Sequence, residues 1–183
     1  MNRTIVLIDG ENILFRFQEM LESGKVVNSD VTHIEDRVLW NPNMLTSCYD
    51  ILRISYYTTV VGDNDAVTTL SNEIAALPFT CKMNATIATN GTLNPHVFKK
   101  DKKKSKNKSV DVNIAIDALR HAYNKNVDQI YLISGDGDFI PLVKEIMHHG
   151  IQVTVAAFSN GCNDELRYIA DDFHCLDNLY FDK

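Results

Sequence analysis

"QIYLISGDGDFIPLVKEIMHHGIQVTVAAF", residues 129–158, is the stretch whose reading decides the fold. Gln129 to Ile133 form a short apolar run of the length and kind expected of a strand buried on both faces. "DFIPLVKEIMHHG" then predicts a helix, with Pro141 tolerated in its first turn and Gly150 at its end. "QVTVAAF" (152–158) turns back to strand. Strand, helix and strand in succession make a crossover unit, which joins parallel strands with a right-handed connection.

The pattern extends in both directions. "TIVLI" (4–8) is a β-branched apolar run that stops at Asp9-Gly10-Glu11-Asn12, and "ILFRFQEMLESG" follows as a helix with Ile13, Leu14, Phe17, Met20 and Leu21 on one face and Gly24 as its stop. Residues 25–41 show no clean period and read as loop or short irregular pieces. Asn41-Pro42 can cap a short helix. "ILRISYYTTV" (51–60) predicts another strand, and Val67, Leu70, Ile74 and Leu77 predict a helix closed by Pro78. Residues 79–98 suggest a short strand or hairpin.

Ser109 is a candidate cap for "VDVNIAIDALRHAYNK", where Val112, Ala115, Ile116, Leu119, Ala122 and Tyr123 share a face. "NDELRYIADDF" predicts a last helix, with Asp171 and Asp172 as its closing turn, and "HCLD" a last short strand. Alternating strands and helices imply an α/β sandwich around a mostly parallel sheet. No internal repeat is apparent.

The 183 residues, 45% of them hydrophobic, suit one domain spanning 1–183 with one well-buried core. No apolar run approaches the ~18 residues of a membrane span, and "MNRTIVLIDGEN" does not read as a signal peptide. Cys48, Cys81, Cys162 and Cys175 include no C-x-x-C pair, so reduced thiols and a cytoplasmic location are expected. The net charge of −6 is uneven. "KKDKKKSKNK", a lysine-rich loop or insertion at about 99–108, carries seven lysines and one aspartate, leaving 11 basic against 23 acidic residues elsewhere. An acidic body with one basic arm suits a protein that gathers carboxylates for a metal and keeps the arm for a polyanion.

The acids have a definite placement. "IVLID" ends in Asp9, and "IYLISGDGD" delivers Asp136 and Asp138, so both of the most apolar strands end in aspartate. In open parallel sheets ligands bind beyond the carboxyl ends of the strands, where strand order reverses. Asp111 lies in the first turn of its helix, where the dipole favours an anion. Four carboxylates gathered there raise one another's pKa unless a cation neutralises them. Hard oxygen ligands with open positions suit Mg²⁺ or Mn²⁺, and such an ion can activate a water for in-line attack on a phosphodiester.

Ser134 and Asn12 could hydrogen-bond a water or phosphate, and Lys103, Lys104, Lys106 and Lys108 could contact phosphates without reading sequence. His96 and Phe98 could stack on a base. Each residue also has an ordinary use. Asp138 can cap the helix near Phe139, Asp9 can open an Asp-Gly turn, and the lysines can form a solvated linker. Glu11 reads as exposed, with contact to the cleft as its second reading, Asp117 as a solvated or auxiliary acid, and His148-His149 as structural cations at a helix end.

"IVLIDGENI", "KSVDVNIAIDALRHA", "IYLISGDGDFIPLVKEIMHHGIQVTV" and "ELRYIADDFHCLD", in that order, resemble the NYN domains of the PIN-like nuclease superfamily, particularly the bacterial LabA-type group. The resemblance implies a Rossmann-like, PIN-like three-layer α/β/α sandwich. It also implies a metal-dependent ribonuclease site at Asp9, Asp111, Asp136 and Asp138, with Asn12 and Ser134 as polar neighbours. The expectation is therefore a hydrolase that uses Mg²⁺ or Mn²⁺ on RNA, with homodimer formation left open. Two alternatives stand beside it. One is an RNA-binding or regulatory module that does not cut. The other is a phosphatase of the haloacid-dehalogenase type with Asp9 as nucleophile, for which Glu11 and Ile140 stand where aspartates are wanted.

Overall fold

The computed structural model describes residues 3–45, 50–82, 88–101 and 108–182. Its centre is a six-stranded, wholly parallel sheet. The strands are β1 (Thr4–Asp9), β4 (Ile51–Val61), β7 (Asn94–Lys100), β8 (Gln129–Ile133), β9 (Gln152–Ala157) and β10 (Asp172–Cys175). Their spatial order is β10-β9-β8-β1-β4-β7. The chain winds outward from β1 through β4 to β7, then returns to lay β8, β9 and β10 on the other side. The order therefore reverses between β1 and β8.

Strand β1 is buried at all six positions, as a strand covered on both faces must be. Its alternate side chains serve two cores. Val6 and Ile8 join α1 (Gly10–Glu22) and α2 (Asn64–Ala75) on one face. Ile5 and Leu7 join α3 (Ser109–Asn124), α4 (Ile140–His148) and α5 (Asp164–Ile169) on the other. The result is the α/β/α sandwich expected from the sequence, with helices covering both faces of the sheet.

Several local expectations are corrected. Residues 25–41 contain a hairpin, β2 (Thr32–Ile34) and β3 (Val38–Trp40), whose second strand is fully buried against the first core. Residues 42–45 form turns and not a helix; the Asn41 side chain accepts from the Asn43 N–H at 2.8 Å and donates to the Leu179 carbonyl at 2.6 Å. The hairpin expected within 79–98 is present as β5 (Pro78–Lys82) and β6 (Ala88–Thr92); it precedes β7, a sheet strand that the sequence does not announce. Lys99 and Lys100 close β7 and are not part of a loop.

In α3 the cap position falls on Lys108, and Ser109 is the first helical residue. The buried stripe is Val110, Ile114, Ala118 and Ala122, while Val112, Ile116 and Tyr123 are exposed. Two alanines in that stripe let the helix approach the sheet closely; of the expected face Ala122 is buried and Ala115 and Leu119 pack against the same core, while Val112, Ile116 and Tyr123 turn outward. At the C-terminus, Asp171 accepts from the Val153 N–H at 2.8 Å and Asp172 begins β10, so the two are not a simple helix-end turn. A short α6 (Asp177–Tyr180) follows. Cys162 and Cys175 are free thiols; Cys48 lies outside the described residues. Among the described residues no helix is long and apolar enough to cross a membrane.

Candidate functional site

The carboxyl ends of β1 and β8 lie side by side at the point where strand order reverses, Leu7 pairing with Leu132 and Ile8 with Ile133. Open parallel sheets place their ligands at such a point. The loops that leave these two strands are tied to each other. Asp9, 3% exposed, accepts from the Asn12 N–H at 3.1 Å and from the Ser134 hydroxyl at 2.9 Å. Ser134 Oγ accepts in turn from the Asp136 N–H at 3.2 Å, and Asn12 Oδ1 from the Gly135 N–H at 3.0 Å. Asn12 and Ser134 thus act first as ties between the two loops.

Tight backbone geometry brings the loops this close. A Cβ on Gly10 would meet the Tyr56 ring at 2.4 Å and the Tyr57 carbonyl oxygen at 2.8 Å, so α1 starts directly against β4. A Cβ on Gly137 would meet the Asn163 amide at 2.5 Å, and Asn163 is itself the side-chain cap of α5. Gly137–Phe139 form a 3-10 turn ahead of α4. Its cap is Asp136, whose Oδ1 accepts from the Asp138 N–H at 2.9 Å. Asp138 does not cap α4, which starts without a side-chain cap. Asp138 is exposed and Asp136 half-buried.

Asp111 arrives from the far end of the sequence on the first turn of α3. Burial raises its carboxyl above the ordinary range, and the charges of Asp136, Asp138 and Glu11 push the same way, opposed by Lys108. These couplings link Asp111 to the acids that leave β1 and β8 at the same edge of the sheet. At Asp9 burial dominates and drives the pKa to about 7; the two hydrogen bonds oppose that rise, and Asp111 and Glu11 add to it. Lys103, Lys104 and Lys106 lie outside the described residues.

Glu11 belongs to this edge, the second of its two readings from the sequence, and is half-buried. Lys100 Nζ, at the end of β7, pairs with Glu11 Oε1 at 2.5 Å, and the Thr59 hydroxyl donates to the same oxygen. Its position two residues after Asp9 is the one sequence signal for it. Its cation is 89 residues away on a strand the sequence conceals. Asp117 goes elsewhere: it accepts from the Tyr57 hydroxyl at 2.7 Å and from Arg120 at 2.5 Å. His96 stacks on Tyr57, and Phe98 packs against the second core. His149 pairs with Glu145 at 3.2 Å, in keeping with a structural role.

The donor chemistry of the cleft fits a hard divalent cation, because its acids are carboxylates that raise one another's pKa and carry oxygen lone pairs. Among the described residues no three carboxylates, imidazoles or thiols are arranged to hold an ion. Side-chain adjustment would have to complete the ligand set.

Known proteins give the cleft a context. A 62-residue stretch, 34% of the chain, is 36% identical to the uncharacterized protein MJ0482 of Methanocaldococcus jannaschii, and spans 26% of that protein's length. The fold is similar to the crystal structure of VPA0982, a protein of unknown function from Vibrio parahaemolyticus. There the TM-score is 0.64 at 21% identity, over 98% of this chain and 96% of the other. Residues 3–177 match the NYN domain, nearly the whole chain. The chain belongs to the NYN domain family, within the PIN-like nuclease superfamily, whose nucleases typically use divalent metals and for which RNA is the implied substrate.

Proposed function

We propose that the protein is a metal-dependent ribonuclease that hydrolyses RNA phosphodiester bonds at the cleft between β1 and β8. The observation that supports this reading is that Asp9 ends β1 and Asp136 and Asp138 follow β8 at the switch point of the sheet, with Asp111 electrostatically coupled to both groups. Their charges there oppose one another.

The chain's own residues divide the work. Asp9 is fixed at both oxygens by Asn12 and Ser134, so it anchors the floor of the cleft. Asp136 is held by the Asp138 N–H and keeps its second oxygen for a ligand. Asp111 enters from the α3 side, and Asp138, exposed, is positioned at the mouth. Bound Mg²⁺ or Mn²⁺ would neutralise these acids and supply the Lewis acidity for phosphodiester hydrolysis. Asn12 and Ser134 hold the loops in register and can turn their remaining polar capacity toward substrate. Lys100 and Lys108 stand at the cleft, and with Lys103, Lys104 and Lys106 they supply phosphate contacts of the sequence-independent kind.

The test scores cutting and binding separately. A single-stranded RNA should be cleaved with Mn²⁺ or Mg²⁺, and EDTA should abolish cleavage. Binding without cleavage under every divalent metal tried would replace the ribonuclease with a non-catalytic RNA-binding module.

A further inference from the structure

Beside α3, and apart from the acidic cleft, lies a cavity of about 240 Å³. That is just below the ~300–1,000 Å³ of typical small-molecule sites, a size suited to one nucleotide unit. Its floor is Ile5 and Leu7 of β1. One wall is an aromatic pair, Tyr57 and His96, with ring centroids 4.4 Å apart and planes inclined by 14°. Asn94 Nδ2 stands 2.8 Å from His96 Nε2, and Asp117 takes the Tyr57 hydroxyl, so both rings are held. Burial keeps the His96 imidazole below its ordinary pKa, which favours the neutral ring that stacks.

The cavity also carries positive charge. Arg53 lines it, is exposed, and makes no hydrogen bond or ion pair among the described residues. Arg120 lines it as well but is shared with Asp117.

The position of the cavity gives these groups a common purpose. Strand alternation puts Ser55, Tyr57 and Thr59 of β4 on the face turned to α3, and the paired β7 residues Asn94, His96 and Phe98 beside them. This ladder ends at Thr59 and Lys100, which hold Glu11 at the acidic cleft. Tyr57 and Thr59 are two residues apart, roughly 7 Å along the strand. A chain lying in the cleft therefore needs to advance only a short step along β4 to reach the aromatic pair.

We propose that this cavity is a nucleotide subsite, in which one unpaired ribonucleotide of the bound RNA stacks its base on the half-buried His96 ring, which the fully buried Tyr57 backs, and presents its phosphate to Arg53. The inference rests on the ribonuclease reading and deepens it. Stacking and an arginine read any base, so the subsite confers preference for unpaired RNA and not for a sequence.

The experiment measures the affinity of a labelled single-stranded oligoribonucleotide in Ca²⁺, a hard cation that takes the same class of oxygen ligands. Arg53→Ala and His96→Ala should each weaken binding by roughly tenfold, the scale of one lost stacking or phosphate contact, while His96→Phe stays within about twofold of wild type. Arg53 is exposed, so its variant keeps the test decisive should His96→Ala disturb β7. Binding by wild type with Arg53→Ala and His96→Ala within about twofold of it would overturn the subsite and leave the ribonuclease reading standing. Failure of wild type to bind RNA would overturn both.

Discussion

At Asp9, burial and neighbouring acids act in the same direction. Burial raises the carboxyl to about 7, with Asp111 and Glu11 adding to it against the hydrogen bonds from Asn12 and Ser134. The folded protein thus keeps a proton that the unfolded chain, titrating near the ordinary 3.8, has already released. Between about pH 4 and pH 7 the native state binds more protons, so stability falls as pH rises, by at most ~1.4 kcal/mol per unit. Asp111 is raised as well and contributes with the same sign. Urea midpoints in EDTA should therefore drop from about pH 5 to pH 7, and Asp9→Asn, which imitates the protonated form, should flatten that slope. An unchanged slope in Asp9→Asn would mean that other groups carry it. Of the residues singled out in the sequence, Asp9 and Asp136 were legible because one ends and the other closely follows a mainly apolar strand. Glu11 was legible only as a second reading, since its burial depends on Lys100 and Thr59, and nothing in "DGEN" announces either.

At the scale of elements, legibility followed how each segment is buried. Strands β1 and β8 are covered on both faces and read as unbroken apolar runs. Strand β7, "NPHVFKK", is an edge strand, half-buried for most of its length, and its mixture of polar and apolar residues hides it. The hairpin strand β3 is wholly buried but only three residues long, too short to show a period. In α3 the helix was evident but its face was not. Val112, Ile116 and Tyr123 form the more hydrophobic stripe, yet the helix turns Ile114, Ala118 and Ala122 inward because small residues allow close contact with β1 and β4. The two stripes predict different costs. Ile114→Ala should lower unfolding free energy by about 2–5 kcal/mol, as for a fully buried side chain, and Ile116→Ala by less than ~1 kcal/mol. Equal losses in chemical denaturation would return the core to the outer stripe. The same helix carries Asp111 in its first turn.

Across the whole molecule, the reversal of strand order between β1 and β8 converts distant acids into neighbours. Asp9 and Ser134 are 125 residues apart and share a hydrogen bond, and Asp111 joins them through a helix that starts at the same edge. The proposed function gives the acidic body and the lysine-rich segment complementary roles, one for a cation and the other for phosphates. The proposed subsite at the cavity on the α3 side would extend the same face toward the rest of a bound strand. Whether the acidic edge is a catalytic centre is tested most directly by the rate of RNA cleavage in Mn²⁺ for wild type, Asp111→Asn and Asp136→Asn, each checked for an unchanged circular dichroism spectrum. Outer partners of metal ligands cost ~10–100-fold when removed, so each of these substitutions should lower the rate by at least about 100-fold. A folded Asp136→Asn protein that cuts RNA at the wild-type rate would contradict the account.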